Sequence, residues 1–393
     1  MDDPRTTYLD HAATTPMLPA AAEAMTRQLV EVGNASSLHA SGRRARRVVE
    51  ESRETIARAL GARPGDVVFT SGGTEADNLA LKGMFWARRD EDERRVRILS
   101  TAIEHHAVLD PLLWLGDHGA EVELLPVDQQ GRLELGALAD SIARDPGSVA
   151  LVSVMWANNE VGTLQPVDEV VALAAQHGIP VHSDAVQAVG AVPVDFDRSG
   201  LAALAFSGHK VGGPYGVGAL AVRREVPVSA LVHGGGQERD IRSGTLDVPA
   251  IAGFAAAVEQ SVKVQDEHAA RVAALRDDLV RRVTEVVPDA HLHGAPTGAG
   301  RLPGNAHLGF PGCEGDSLLM LLDAHGIECS TGSACSAGVP QPSHVLLAMG
   351  CDEEQARHSL RFSFGHSSTE ADVDAVVAAI GPVVERARAA RRS

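Results

Sequence analysis

Only three lysines occur among the 393 residues, Lys82, Lys210 and Lys263, and every other basic side chain is Arg or His. Lys210 ends the small-residue loop Ser207-Gly208-His209-Lys210, directly after an apolar run at 201–206. Arginine serves wherever this chain needs an ordinary positive charge, so a lysine in that loop points to chemistry that guanidinium cannot do. An amine can lose its proton and form a Schiff base, whereas guanidinium stays charged. Lys82 and Lys263 fall in helical patterns, where a surface cation is explanation enough. Four further polar clusters follow apolar runs: SGGTEADN at 71–78, EHH at 104–106, NNE at 158–160 and DAVQ at 184–187.

The elements that carry these clusters follow from periodicity. Short apolar runs at 67–70, 96–101, 122–126, 149–155, 179–183, 201–206 and 217–222 read as strands. Amphipathic stretches lie between several of them, such as 168–176 with Val170, Val171 and Ala174 on one face. This alternation predicts an α/β fold with a largely parallel, doubly wound sheet. A long helical pattern then runs from Val258 to Val286, residues 290–365 mix Gly/Pro turns with strand-like pieces, and 369–388 reads as a helix despite Pro382. The second half is therefore expected to form a smaller α+β domain. In open α/β sheets ligands bind beyond the carboxyl ends of the strands. Five polar strand ends in register predict one site.

Each cluster has an ordinary reading and a chemical one. Ser71 to Thr74 opens a helix, which serves either as a plain helix start or as an anion cradle of backbone amides. Asp184 either caps a helix or holds a proton on a heteroaromatic nitrogen. His105 is either a core histidine or a ring stacked on a flat ligand. Ser207 and His209 can donate to one phosphate. A phosphate cradle, a partner for a pyridinium, a stacking ring and a strand-end lysine together describe a pocket for pyridoxal 5'-phosphate.

Taken in order, the motifs YLDHAATTP at 8–16, GNASSLHASG at 33–42, TSGGTEADNLALKG at 70–83, IEHHAVLD at 103–110, MWANNEVG at 155–162, HSDAVQAVG at 182–190, SGHKVGGPYGVGAL at 207–220, HGGGQERDIRSGT at 233–245, STGSAC at 330–335 and LRFSFG at 360–365 span the chain. The chain resembles the cysteine desulfurases of the NifS/IscS type, within the fold-type-I, class-V aminotransferase group, with an actinobacterial flavour. The resemblance implies a large domain at 16–253 with a mostly parallel seven-stranded sheet. It also implies a smaller domain from 1–15 and 254–393 that carries a catalytic-cysteine loop at about 328–342. Matched by position, Lys210 resembles the Schiff-base lysine and His105 the stacking ring that assists proton transfer. Asp184 would pair with the pyridinium nitrogen, Gln187 and Asn158 with the ring oxygen. Gly73, Thr74, Ser207 and His209 would hold the phosphate, joined by Thr245 from a neighbouring subunit, which implies a homodimer. Asn158 and Arg361 would meet the substrate carboxylate, and Cys335, in the small-residue loop TGSACSAGVPQP, resembles the nucleophile that takes sulfur from L-cysteine.

The implied reaction yields L-alanine and an enzyme persulfide on Cys335, passed on to an iron–sulfur scaffold or a thiolation enzyme. Trp156-Ala157 and Gly73 depart from the commoner His-Val and Ala of the family, and neither removes a catalytic group. A selenocysteine lyase or another lyase or aminotransferase of this fold is the nearest alternative, and a catalytically idle cofactor-binding scaffold is the alternative of a different class. Cys335 argues against the first, since transamination and elimination need no mobile thiol. The filled catalytic positions argue against the second.

Composition sets outer limits. A net charge of −17 and only 3% aromatic residues oppose nucleic acid and anionic membranes as partners. The longest strand-like apolar stretch, 149–157, is far short of a membrane helix. The acidic, polar start MDDPRTTYLD has no signal-peptide pattern. Four cysteines (Cys313, Cys329, Cys335, Cys351) without metal-type spacing suit reduced thiols in the cytoplasm. For Cys313, Cys329 and Cys351 the expected role is that of small buried hydrophobes.

Overall fold

A computed structural model describes residues 6–332 and 342–392. A two-residue strand, β1 (Thr7–Tyr8), precedes the seven strands of the main sheet: β2 (Val67–Thr70), β3 (Arg97–Thr101), β4 (Glu121–Leu125), β5 (Val149–Ser153), β6 (Val181–Asp184), β7 (Ala203–Ser207) and β8 (Gly218–Val222). Their order across the sheet is β2-β8-β7-β6-β5-β3-β4. Pairings among β3 to β7 are parallel, while β8 runs antiparallel to both β7 and β2. The expected sheet is present, with each strand within two residues of its expected bounds.

Both faces of this sheet are covered, which is why its strands read as unbroken apolar runs rather than alternating ones. Phe69, Leu99, Val152 and Leu204 enter the core on one face, together with Phe254 and Val258 of the helix Val248–Lys263. Their neighbours Val68, Ile98, Leu151 and Ala205 enter the core on the other, against Met84 and Phe85 of the helix Gly73–Glu91. Because β2 runs in the same direction as β3 to β7, six strands in all, the loops at 71–74, 104–106, 158–160, 184–187 and 207–210 emerge along a single edge.

A second core gathers Leu279, Val283, Phe310, Leu318, Phe362, Val376 and Ile380. It lies around a three-stranded antiparallel sheet of β9 (His291–Leu292), β10 (Asn305–Gly309) and β12 (Ser359–Ser363). Leu9 belongs to it too, because β1 pairs in parallel with β11 (Ile327–Glu328). Two details differ from the sequence reading. The single helical pattern is two helices, Val248–Lys263 and Gln265–Val286, broken at Val264. Phe254, Ala257 and Val258, assigned by sequence to the smaller domain, bury themselves in the first core. Pro382 sits inside an uninterrupted helix, Glu370–Arg392, as expected.

Candidate active site

The parallel strand ends enclose a cavity of about 350 Å³ lined by Gly73, Thr74, His105, Asp184, Gln187, Ser207, His209, Lys210 and Arg361. All of these were singled out from the sequence, and the fold brings them together. Three were not so placed. Asn158 is fully buried beside the cavity, and its side-chain amide is taken up by backbone partners in its own loop and the loop after β3. Its Nδ2 donates to the Ile103 carbonyl at 2.9 Å, and its Oδ1 accepts from the Glu160 and Val161 amides. Asn159, the next residue, lines the cavity instead. Thr245 is exposed and stands outside the cavity of its own chain. Cys335 lies outside the described residues.

Lys210 occupies a short 3-10 turn after β7, and its Nζ donates to the carbonyls of Ala12 at 2.5 Å and Ala13 at 2.7 Å. Burial, with Arg361 nearby, lowers its pKa to about 8. The same Ala12 carbonyl accepts from Gln187 Nε2 at 2.8 Å, so the segment after β1 holds both side chains at once. Asp184 ends β6 and accepts the Val186 amide at 2.8 Å, while burial raises its carboxyl to about 6. His105 caps the helix His106–Gly116, its Nδ1 accepting from Ala107 N–H at 3.0 Å. That contact leaves the proton on Nε2, and burial lowers the ring's pKa to about 4, so the imidazole is neutral. Burial does the same to His209, whose ring stacks on Tyr215 with centroids 5.7 Å apart.

At the phosphate-type end, the helix Gly73–Glu91 begins three residues after β2. A Cβ on Gly73 would come within 2.7 Å of Val186 Cγ2, so the helix start approaches the strand-end loop as closely as side chains permit. At the opposite side, Arg361 on β12 donates to Asp10 Oδ1 at 2.7 Å and to the Asn159 carbonyl at 3.0 Å. Its Nε is buried without a hydrogen-bond partner.

Sequence reasoning passed over several groups. Asp77 lines the cavity from the helix Gly73–Glu91, fully buried, with neither carboxyl oxygen hydrogen-bonded. The readable signal was an acid among Ala76, Leu79 and Ala80 on the core face of a helix. Glu104 is also fully buried, and burial raises its carboxyl to about 8. Asp10 was quoted within a motif without a role. Glu160 and His344 line the cavity as well; Ser343 Oγ donates to Glu160, and His344 Nε2 contacts the Glu104 carbonyl.

A class-V aminotransferase model matches residues 7–376. The IscS-like cysteine desulfurase of Mycobacterium tuberculosis is 58% identical over 98% of this chain and 97% of its own length. The cysteine desulfurase NifS of Azotobacter vinelandii is 40% identical over 97% of this chain and 93% of its own. The chain belongs to the cysteine desulfurases of the class-V aminotransferase family. Among solved structures, a NifS-like protein superposes with a TM-score of 0.89 at 35% identity, covering 97% of this chain and all of that one.

Membership of this family implies dependence on pyridoxal phosphate, and the residues present fit that group. An aldehyde needs an amine, and Lys210 presents one with a lowered pKa. A protonated ring nitrogen needs a buried anion, and Asp184 supplies a carboxyl at the cavity wall. A phosphate needs amides and neutral donors, which Gly73, Thr74, Ser207 and His209 offer together. Among the described residues no group of three ligands is placed to hold a metal ion, and no helix is long and apolar enough to cross a membrane.

Proposed function

We propose that this desulfurase holds pyridoxal phosphate on Lys210 and carries sulfur from L-cysteine on Cys335. The observation that supports this most is the placement of a lone, half-buried, readily deprotonated lysine between Asp184 and Arg361. Gly73, Thr74, Ser207 and His209 bind the phosphate, Asp184 faces the ring nitrogen, His105 covers the ring, and Gln187 and Asn159 face its polar edge. Bound there, the cofactor supplies an electron sink for the carbanion formed at the substrate Cα. Arg361 orients the substrate carboxylate, with Asp10 fixing the guanidinium plane. The Lys210 amine takes the Cα proton and later returns one. His105, neutral with its proton on Nε2, serves as a proton carrier beside it.

The Cys335 thiol attacks the substrate sulfur, so that L-cysteine and the enzyme thiol become L-alanine and an enzyme persulfide with no external oxidant. Burial pushes the Cys329 thiol up to about 12 and raises those of Cys313 and Cys351, which disfavours all three as thiolates. The persulfide passes to an iron–sulfur scaffold or a thiolation enzyme in the cytoplasm. We assign a homodimer: Leu29, Val30, Val32 and Leu38 are 61 to 88% exposed. Ala35 and Ser36 between them share a groove with loop residues 235–239 and Leu246, which adjoins Thr245. Thr245 would then reach the partner's phosphate. We place the division between the two parts of the chain at Val264.

Alanine formation from L-cysteine by the pyridoxal-phosphate-loaded protein tests this reading. Lys210→Ala should lose both activity and the lysine-bound absorption, whereas Cys335→Ala should lose activity alone. Alanine and sulfide release that persists in Cys335→Ala would move the enzyme to the lyases.

A further inference from the structure

Three carboxyl groups meet below the cavity: Asp77 from the helix Gly73–Glu91, Glu104 after β3 and Asp184 at the end of β6, each at most 6% exposed. Three adjacent buried carboxylates cannot all ionise, because burial and mutual repulsion both favour the neutral form. Their hydrogen bonds differ. Asp184 accepts a backbone amide, and Glu104 Oε1 accepts from the Thr101 hydroxyl at 2.8 Å and the Met155 amide at 2.9 Å. Asp77 accepts none. Lys210 lies on the side of Asp184 and eases its ionisation. Around Asp77 the charged neighbours are Asp184 and Glu104 themselves, and burial with these two anions lifts its carboxyl well above the usual range.

Nε2 of His182 lies 3.4 Å from Oδ1 of Asp77. His182 stands two residues before Asp184 on β6, and so on the same face. It is fully buried, with Nδ1 at 3.0 Å from Ser153 Oγ and Nε2 unpartnered. Burial lowers the imidazole to about 3, so it is neutral and cannot compensate an ionised Asp77.

We propose that Asp77 is a positioning residue: paired with His182 it holds a proton, which leaves Asp184 as the single anion facing the cofactor's ring nitrogen. The proposal rests on the reading of this cavity as a pyridoxal phosphate site. A neutral Asp77 sets the charge at that end to one, matching one ring proton, where two carboxylates would bind the protonated ring more tightly and draw its electrons less. The conservative test is Asp77→Asn, which keeps shape and removes the proton equilibrium.

In cofactor-free protein at neutral pH, the infrared carbonyl band of buried carboxylic acid should weaken in Asp77→Asn, and the remainder should go in Asp77→Asn/Glu104→Gln. In loaded protein, Asp77→Asn should hold pyridoxal phosphate within a few-fold of wild type, whereas Asp184→Asn should lose about tenfold or more. Raising the pH should give the wild-type absorption a step from Asp77 that Asp77→Asn lacks, beside the changes due to Glu104 and Lys210 that both share. An unchanged infrared band, or cofactor loss in Asp77→Asn as large as in Asp184→Asn, overturns the proposal, because Asp77 would then act as an anion. A wild-type cavity that takes no pyridoxal phosphate overturns the reading of the site and the proposal with it. A site that fills normally beside an unchanged infrared band overturns the proposal alone.

Discussion

In the proposed mechanism Lys210 concentrates the chemistry of this chain in one atom. Its amine is tied to two backbone carbonyls, which hold it in place without adding a full opposite charge. Burial therefore dominates and lowers its pKa to about 8. In cofactor-free protein, an amine-selective acylating reagent should modify Lys210 with a midpoint near pH 8, read by peptide mass; protection up to pH 10 would contradict the burial argument. Glu104 allows a stability prediction of defined sign. Its carboxyl rises from 4.5 to about 8 on folding, so the folded state keeps a proton that the unfolded chain has released. Stability is undiminished below pH 4.5, falls as pH rises, and the loss is complete above about 8. Glu104→Gln should remove that dependence and add on the order of 3 to 5 kcal/mol at pH 8.5 while changing little at pH 4.5, measured by denaturant unfolding. Residue types at the site were legible in the sequence; which of two adjacent asparagines faces the cavity was not. Asn158 and Asn159 differ only in how the turn after β5 directs them, and that turn is set by Asn158 binding its own loop through Oδ1 and the loop after β3 through Nδ2.

At the scale of elements, the sheet was readable because strands buried on both faces leave unbroken apolar runs. The break at Val264 was not, since no Gly or Pro marks it and apolar positions continue through it. The signal present was an acidic first turn, Asp266 and Glu267, at the start of the second helix. Gly218 shows how closely the elements are fitted. It begins β8, between β2 and β7, and a Cβ there would lie 2.7 Å from the Gly72 backbone and 2.8 Å from the Phe206 carbonyl. Backbone cannot swing aside as a side-chain tip can. Gly218→Ala should cost about 1–3 kcal/mol of stability and weaken cofactor binding, because the Gly72 backbone leads into the helix start at Gly73. Unfolding midpoints and cofactor dissociation check both; a variant as stable as wild type would contradict the close packing.

Across the whole molecule, the two cores meet at the cavity through the N-terminal segment. Asp10 follows β1, which belongs to the second core, and it holds Arg361 of β12. Ala12 and Ala13, two and three residues on, accept from Gln187 and Lys210 of the first core. Arg361 and Lys210 are thus set by one short stretch of chain. No local pattern in the sequence announced this, because Asp10 and Arg361 stand 351 positions apart. Asp10→Asn should leave cofactor binding intact and raise KM for L-cysteine about tenfold with little change in kcat, through loss of a charge-assisted hydrogen bond. An unchanged KM would show that Arg361 needs no such support.

The central claim is that sulfur leaves L-cysteine as a persulfide on Cys335. The intact mass of the loaded protein after brief exposure to L-cysteine, followed by peptide mapping, tests it most directly. The account predicts one added sulfur per chain on the peptide that carries Cys335, and none in Cys335→Ala. A loaded protein that gains no sulfur, or gains it on Cys313, Cys329 or Cys351, would contradict it.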